Sequence, residues 1–448
     1  MISNKPVSQD EYDQRRQRLI AQLPDNSVVV IPAANISYRN NDADYAFRQN
    51  SDFFYLTGFA EPDAWLVLEK NAEGTKSSLV VRVKDKAAEI WHGRRIGKDK
   101  AKQVFEFAQT FDETELHRAL FDAINNKQTL YWAQGDNLKA DEIILALLSE
   151  LRTGPKKGWN APTQLLDWRP VVHNMRLFKS DAEIAVMRRA GEISAEAHER
   201  AMRFSAKQIA NQLPVFEYQL EAEIHHHFAM NGARHPAYGT IVGAGENACI
   251  LHYTENQDEA KSGDLVLIDA GCELQGYADD ITRTFPISGK FSSEQKEIYE
   301  LVLHTQQTVI EAIKPGTNLK ALTELSVRCI TEGLVELGIL EGEVDQLIED
   351  NAHRAYYMHG LAHWIGLDVH DVGDYNQAGA ERPLESGMVF TVEPGIYIDS
   401  ESKCDSKWHG IGVRIEDNIL ITKDGYENLT QGVVKTVEDI ENLMQAQR

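Results

Sequence analysis

Apolar strands that run into carboxylates constrain this chain more than any other feature. In "VLIDAGCELQGYADDITRTF" (266–285) the run Val266, Leu267, Ile268 meets Asp269, and Asp279 and Asp280 follow before the next β-type run. "VFTVEPGIY" (389–397) breaks at Glu393, and "GVRIEDNILI" (412–421) holds Glu416 mid-strand. Burying a strand disfavours an ionised carboxylate unless a cation or hydrogen-bond donors pair with it. A fold that buries these strands must therefore bring partners to the acids.

The two-residue period of a strand places Asp280, Thr282 and Thr284 on one face and Asp279, Ile281, Arg283 and Phe285 on the other. Gly276 and Tyr277 are turn-like, so 265–272 and 278–286 are expected to pair as a hairpin that sets Asp269 beside one of the later aspartates. Like charges that close would retain a proton unless a cation satisfies both. The plain alternative for Asp269 alone is a strand-end or turn aspartate. Arg414 and Glu416 are two apart and share a face, for which a buried Arg–Glu pair is the plain alternative.

"MHGLAHWIGLDVHD" (358–371) adds His359, His363 and His370. His359 and His363 have the spacing of a helical zinc pair, but Gly360 stands where the HExxH motif requires glutamate. Taken together, Asp269, Asp280, His363, Glu393 and Glu416 would supply four carboxylates and one imidazole. Such an oxygen-rich set suits two hard or borderline divalent ions, and the absence of thiolate disfavours a structural zinc site. His225, His226 and His227 in "EIHHHF" diverge by about 100° per residue on a helix and cannot converge on one ion.

Alternating runs at 27–34, 64–70, 77–83 and 128–133, followed by the helical "ADEIILALLSEL" (140–151), predict an α/β layer with a partly parallel sheet. "RTGPKKGWNAP" (152–162) reads as loop, and a boundary near 174 follows. Beyond it, Ser180 with Glu183 forms a capping box at the start of a long helix, and further helices are expected at about 293–313 and 319–337. Strand-like runs cluster after the helices begin, which predicts α+β with a largely antiparallel sheet.

With 69 acidic and 46 basic residues the 448-residue chain has a formal net charge of −23, which repels phosphate backbones and anionic lipid. Nucleic acid and membrane surfaces are poor partners on that ground. Neither a leader pattern nor an apolar run of about 18 residues is present, so a soluble, cytoplasmic protein is expected. The four cysteines are scattered, without CxxC spacing, and are expected to be reduced thiols.

"DAGCELQGYADDITRTFP", "HGLAHWIGLDVHD", "TVEPGIY" and "GVRIEDNILIT", in this order, resemble the two-metal pita-bread peptidases, and among them most closely the bacterial Xaa-Pro aminopeptidases. The likeness extends to "FRQNSDFFYLTGF", "AEIWHGRRIG", "DWRPVVHNMRLFKS" and "IVGAGENACILHYTEN". It implies a ribonuclease-H-like α/β domain over 1–174, concerned with oligomerisation and pocket shaping, and a pita-bread α+β catalytic domain with a curved sheet over 175–448. The metal ligands it implies are Asp269, Asp280, His363, Glu393 and Glu416, which selects Asp280 over Asp279. Glu393 is implied as proton shuttle, with His370 and His252 as the other catalytic residues. His359, Arg414 and Tyr397 are implied on the substrate side, and Trp91 as a residue that lines a neighbouring subunit's pocket.

The implied cofactors are two divalent ions, preferably manganese, that activate a shared water. The implied substrates are peptides with proline at the second position, cleaved before that proline by a homotetramer built from dimers. A prolidase confined to Xaa-Pro dipeptides is the nearest alternative. Methionine aminopeptidase usually lacks so large an amino-terminal domain, and a non-catalytic peptide-binding module would not need all five metal-competent side chains.

Overall fold

The structure is a computed structural model and describes residues 7–445. It divides into two compact units, the first ending at Arg176 and the second beginning at Leu177. The first unit is built on a six-stranded sheet in the order Gln109–Asp112, Gly74–Val81, Trp65–Asn71, Ser27–Pro32, Thr129–Tyr131, Gln164–Leu166. Ser27–Pro32 runs parallel to Thr129–Tyr131 and antiparallel to Trp65–Asn71, so the sheet is mixed. Val28, Val29, Val30 and Ile31 are all buried, as expected where both faces of a strand are covered. Val28 and Val30 join a core with Ile144, Leu147 and Leu148 of the Leu138–Arg152 helix. Each such side chain contributes about 1.5–3 kcal/mol on burial.

A helix at Gln9–Ala21, which apolar spacing did not reveal, buries Arg15 and Arg16 completely. Their guanidinium groups donate to the carbonyls of Tyr55 (3.1 Å) and Leu56 (2.9 Å) at the end of the Ser51–Thr57 helix, where intrahelical donors run out. Gly58 closes that helix at φ 63°, and a Cβ there would lie 2.5 Å from the Tyr12 ring.

In the second unit the Asp181–Ala210 helix starts at the expected capping box: Glu183 N donates to Ser180 Oγ (3.3 Å) and Ser180 N to Glu183 Oε2 (2.9 Å). Ser292 and Gln295 cap Ser293–Glu311 in the same way, and that helix stops two residues short of the expected 313. Leu319–Glu336 follows, capped by Asn318. Three antiparallel ladders carry the polar residues of interest: Ile241–Ala244 with Leu265–Asp269 and Thr282–Pro286; Val389–Val392 with Asp417–Ile421; and Gly395–Ile398 with Ile411–Arg414. Phe390, Val392, Ile419 and Ile421 pack against Val309, Ile310, Ile313 and Leu322, so helices cover one face of these strands. The alternate residues point the other way.

The expected hairpin is interrupted. Leu265–Asp269 pairs with Thr282–Pro286 and Cys272–Leu274 with Tyr277–Ala278, but 270–271 and 279–281 fall between the two ladders. Asp269 is therefore opposite Thr282, not Asp280. Gly271 explains the break: a Cβ there would lie 1.7 Å from Asp279 O, so only glycine allows the two backbones to approach. Among the described residues no helix is long and apolar enough to cross a membrane.

Candidate metal centre

A cavity of about 500 Å³ opens on the polar side of these strands, and Asp269, Asp280, His363, Glu393 and Glu416 all line it. Asp269 is the last residue of its strand, Asp280 sits in the hairpin break, and Glu393 and Glu416 occupy the gap between the Val392/Asp417 pair and the Gly395/Arg414 pair. His363 is fixed from the backbone: Thr391 N donates to His363 O (3.0 Å) and His363 N donates to Thr391 Oγ1 (3.1 Å). Each acid thus lies where regular pairing stops, which frees its side chain to turn into the cavity.

Asp280, His363 and Glu416 each offer an atom within 4.8 Å of the others, the spacing of a shared ion. His363 Nε2 is 3.5 Å from both Asp280 Oδ2 and Glu393 Oε1. Its Nδ1 is 3.0 Å from Trp364 O, a contact that places an N–H on Nδ1 and turns Nε2, the atom that would meet a metal, towards the acids. Arg414 binds Asp269 Oδ2 through Nη2 (2.6 Å), Tyr397 Oη through Nη1 (2.9 Å) and Thr282 Oγ1 through Nε (3.1 Å). Thr282 Oγ1 in turn donates a hydrogen bond to Glu416 Oε2 (2.6 Å). The partner of Arg414 is therefore Asp269, and the considered Arg414–Glu416 pair is made only through Thr282.

Of the remaining expected residues, His252, His359 and His370 line the cavity. Tyr397 stands behind His359, whose Nε2 accepts from Tyr397 Oη (2.8 Å) while Nδ1 donates to Gly360 O (2.7 Å). The His363 and His370 rings meet edge to face at 4.3 Å. Trp91 lies on the Lys86–His92 helix of the first unit, 83% exposed, and is not among the cavity's lining residues. Asp279 is buried outside the cavity and accepts from Asn418 Nδ2 (2.8 Å). On the Glu217–Met230 helix, His225 meets Thr240, His227 meets Glu196 and His226 is exposed, so the triplet does not converge.

Comparison with known proteins agrees with this geometry. The family description "Metallopeptidase family M24" matches residues 185–423, over half of the chain, and "Aminopeptidase P, N-terminal domain" matches 12–131. The chain belongs to metallopeptidase family M24. Among its relatives the Xaa-Pro aminopeptidase of Escherichia coli K12 is 52% identical over 443 residues, 99% of each chain, and that of Haemophilus influenzae is 46% identical over 438 residues, 98% of each. A solved structure of zinc-substituted E. coli aminopeptidase P in complex with product superposes with a TM-score of 0.95 at 52% identity and 99% coverage of both chains. Another, of E. coli aminopeptidase P with the inhibitor Pro-Leu, matches equally well, at TM-score 0.95. The fold is accordingly an α/β amino-terminal domain followed by a pita-bread α+β domain whose sheets are largely antiparallel.

The M24 cavity is electrostatically unbalanced, which tests whether its residues fit a metal. Burial raises the Glu416 carboxyl well above the usual range, and the charges of Asp280 and Glu393 add to that. Asp280 is raised by burial and by Asp269. Glu393 is pushed up to about 7, burial again being the main cause. Burial opposes charge on His363, yet its hydrogen bond to Asp280 and that charge carry it up to about 9. Asp269 alone is lowered, because Arg414 and Tyr238 outweigh its burial. Three of the four acids are raised because the fold does not supply enough positive charge to ionise them all, and hard oxygen donors with one oriented imidazole are the donor chemistry of a divalent cation. The residues fit.

Tyr238 was not expected from sequence. Its hydroxyl donates to Asp269 Oδ1 (2.5 Å) and also touches Asp280 Oδ1. A phenol has one proton and can donate to only one of the two at a time, and the lowered Asp269 and raised Asp280 are in keeping with Asp269 as the acceptor. "HPAYGT" carries neither a periodicity nor a metal-ligand spacing, and nothing short of the tertiary contact could have singled this residue out. Thr282 falls on the expected strand face, but its link to Arg414 and Glu416 joins its own strand to Ile411–Arg414 and to the interruption that follows it.

Proposed function

We propose that the protein is an Xaa-Pro aminopeptidase: it hydrolyses the bond between an amino-terminal residue and a following proline. The observation that carries this reading is the meeting of four carboxylates and one imidazole at a single cavity, in a chain 52% identical from end to end to the E. coli enzyme of that name. Asp269, Asp280, His363, Glu393 and Glu416 would hold two divalent ions. When bound, the ions lower the pKa of a nucleophilic water and neutralise charge developing on the scissile carbonyl.

The chain's own groups account for the rest. An amide before proline has no N–H, so its leaving nitrogen must gain a proton as the bond breaks. Glu393, at the cavity beside His363 (3.5 Å), is the acid suited to take a proton and return it there. His359 is held down to about 4 by burial and by Arg414, so it is neutral at neutral pH and keeps its place in the Tyr397 and Arg414 array. That array forms a polar wall for the proline side of the peptide. His370, lowered by burial and by His363, and His252 line the cavity as hydrogen-bonding groups for the substrate carbonyl. The substrate's free ammonium matches the net negative charge of the acids, which favours cleavage at the amino terminus.

Manganese is the proposed metal, as the likeness to the bacterial Xaa-Pro aminopeptidases implies, and the oxygen-rich donor set is compatible with it. A homotetramer built from dimers is proposed as the working assembly, in which the exposed Trp91 would cover a neighbour's pocket. Four unpaired cysteines support a reducing, cytoplasmic setting. Hydrolysis of an Xaa-Pro-Xaa series by Mn²⁺-reconstituted protein, with Xaa-Pro dipeptides alongside, tests the reading. Turnover of tripeptides is expected, whereas cleavage of dipeptides alone would replace it with prolidase.

A further inference from the structure

On the opposite face of the strands that bear the acids lies a second polar cluster, none of which lines the cavity. Asp417 is fully buried and both of its carboxylate oxygens are filled. Oδ1 accepts from Arg283 Nη2 (2.7 Å) and Thr430 Oγ1 (2.9 Å), and Oδ2 from Lys435 Nζ (2.7 Å) and Gln306 Nε2 (3.2 Å). Lys435 also donates to Gln306 Oε1 (3.1 Å), so the amide of Gln306 is used at both ends.

Apart from Val434 O, which accepts from Arg283 Nε (3.2 Å), the backbone acceptors of Arg283 and Gln306 lie beside the acids of the cavity. Arg283 Nη1 donates to Glu416 O (2.7 Å) and Thr282 O (2.9 Å). Gln306 Nε2 shares its two hydrogens among Asp417 Oδ2, Ile415 O (3.2 Å) and Val392 O (3.4 Å), the last two being the carbonyls immediately before Glu416 and Glu393. Those two acids occupy the interruption between the Val392/Asp417 and Gly395/Arg414 pairs, and Gln306 bridges the strands at that interruption. A buried amide on a helix that otherwise turns Val302, Val309 and Ile310 into the core costs desolvation that an apolar residue of similar size would not. Its bonds go to the peptides that set where two acidic side chains begin.

We propose that Gln306, anchored by Asp417, is a positioning residue for the metal cage: it fixes the spacing of the backbone before Glu393 and Glu416, so that both carboxylates meet the same ions. This rests on the ligand assignment proposed above. The test is calorimetric titration of Mn²⁺ into the metal-free full chain, with thermal melting in parallel, for wild type, Gln306→Met, Lys435→Met, Val309→Ala and Asp280→Ala.

Gln306→Met should bind Mn²⁺ about 10- to 100-fold more weakly. When saturated with metal it should show a lowered kcat with KM little changed. Val309→Ala, on the same helix and wholly within the apolar core, should melt lower yet bind Mn²⁺ as wild type does. Lys435→Met removes the donor to Gln306 Oε1 from a less buried position and must weaken binding in the same direction, which keeps the test alive if Gln306→Met does not fold. Unchanged affinity in both cluster variants, or equal weakening by Val309→Ala, would overturn the proposal. Failure of a different kind, with wild type not binding Mn²⁺ or Asp280→Ala binding it equally well, would remove the ligand assignment itself and the positioning role with it.

Discussion

Glu416 and Asp417 are adjacent in sequence, both buried, and differ in every electrostatic respect. Glu416 faces the cavity among other acids and is raised well above the usual carboxyl range by burial and by Asp280. Asp417 faces the other way; burial opposes its charge, but Arg283 and Lys435 bring its pKa down to about 2. Burial alone therefore does not decide the charge of a carboxyl group. Partners decide it, and here one strand divides between a side whose charge the protein itself balances and a side whose charge calls for a cation. The first is a structural clamp and the second the proposed ion site.

The largest effect expected from this contrast is on the cavity side. Asp280→Ala removes an acid from the proposed ion site, and the loss of several kcal/mol of transition-state stabilisation predicts at least a roughly 1,000-fold fall in Xaa-Pro-Xaa hydrolysis. The metal-free variant should melt no lower than wild type, because the burial cost that raises the Asp280 carboxyl has gone. Unchanged hydrolysis would remove Asp280 from the ligand set.

On the clamp side the consequences reverse. Asp417→Asn leaves Arg283 and Lys435 without their buried counter-charge, and breaking such a pair costs about 3–5 kcal/mol. Denaturant unfolding of the metal-free protein should show the loss. A variant as stable as wild type would mean that the Asp417 cluster carries no structural load.

A smaller effect belongs to His198, which is buried behind the hairpin break with Nε2 against Ala270 O (2.9 Å). Burial is the main cause that lowers it to about 4. Between the ordinary histidine value near 6.5 and about 4 the unfolded chain binds a proton that the folded chain refuses. Its contribution is therefore complete above pH 6.5 and is lost as pH falls towards 4, amounting to roughly 3 kcal/mol at most. His198→Gln should flatten the stability–pH curve in that window, and an unaltered slope would contradict the assignment.

Much of this was legible in the sequence because it is local. Period-two alternation placed Thr282 and Thr284 with Asp280, and the Ser180/Glu183 and Ser292/Gln295 capping boxes marked two helix starts. The interruptions at Asp269, Glu393 and Glu416 were visible as breaks in apolar runs, and all three residues line one cavity. Long-range pairing was not legible. Arg283 shared a face with Ile281 and Phe285 and gave no sign of a buried ion pair with Asp417, far along the chain. Arg414 could be matched only to its sequence neighbour Glu416, whereas the fold delivers Asp269 to it. The hairpin register slipped because Gly271 admits an approach that alternation cannot anticipate. Tyr238 and Gln306 act entirely through tertiary contacts.

The central claim is that the cavity acids form a site for divalent ions, and calorimetric titration of Mn²⁺ into the metal-free chain at neutral pH, in buffers of different ionisation enthalpy, tests it most directly. The account predicts saturable binding of about two ions per chain, accompanied by proton release as the ligands lose their protons, and markedly weaker binding in Glu416→Gln. Absence of saturable binding, or a Glu416→Gln protein that binds as wild type does, would contradict it.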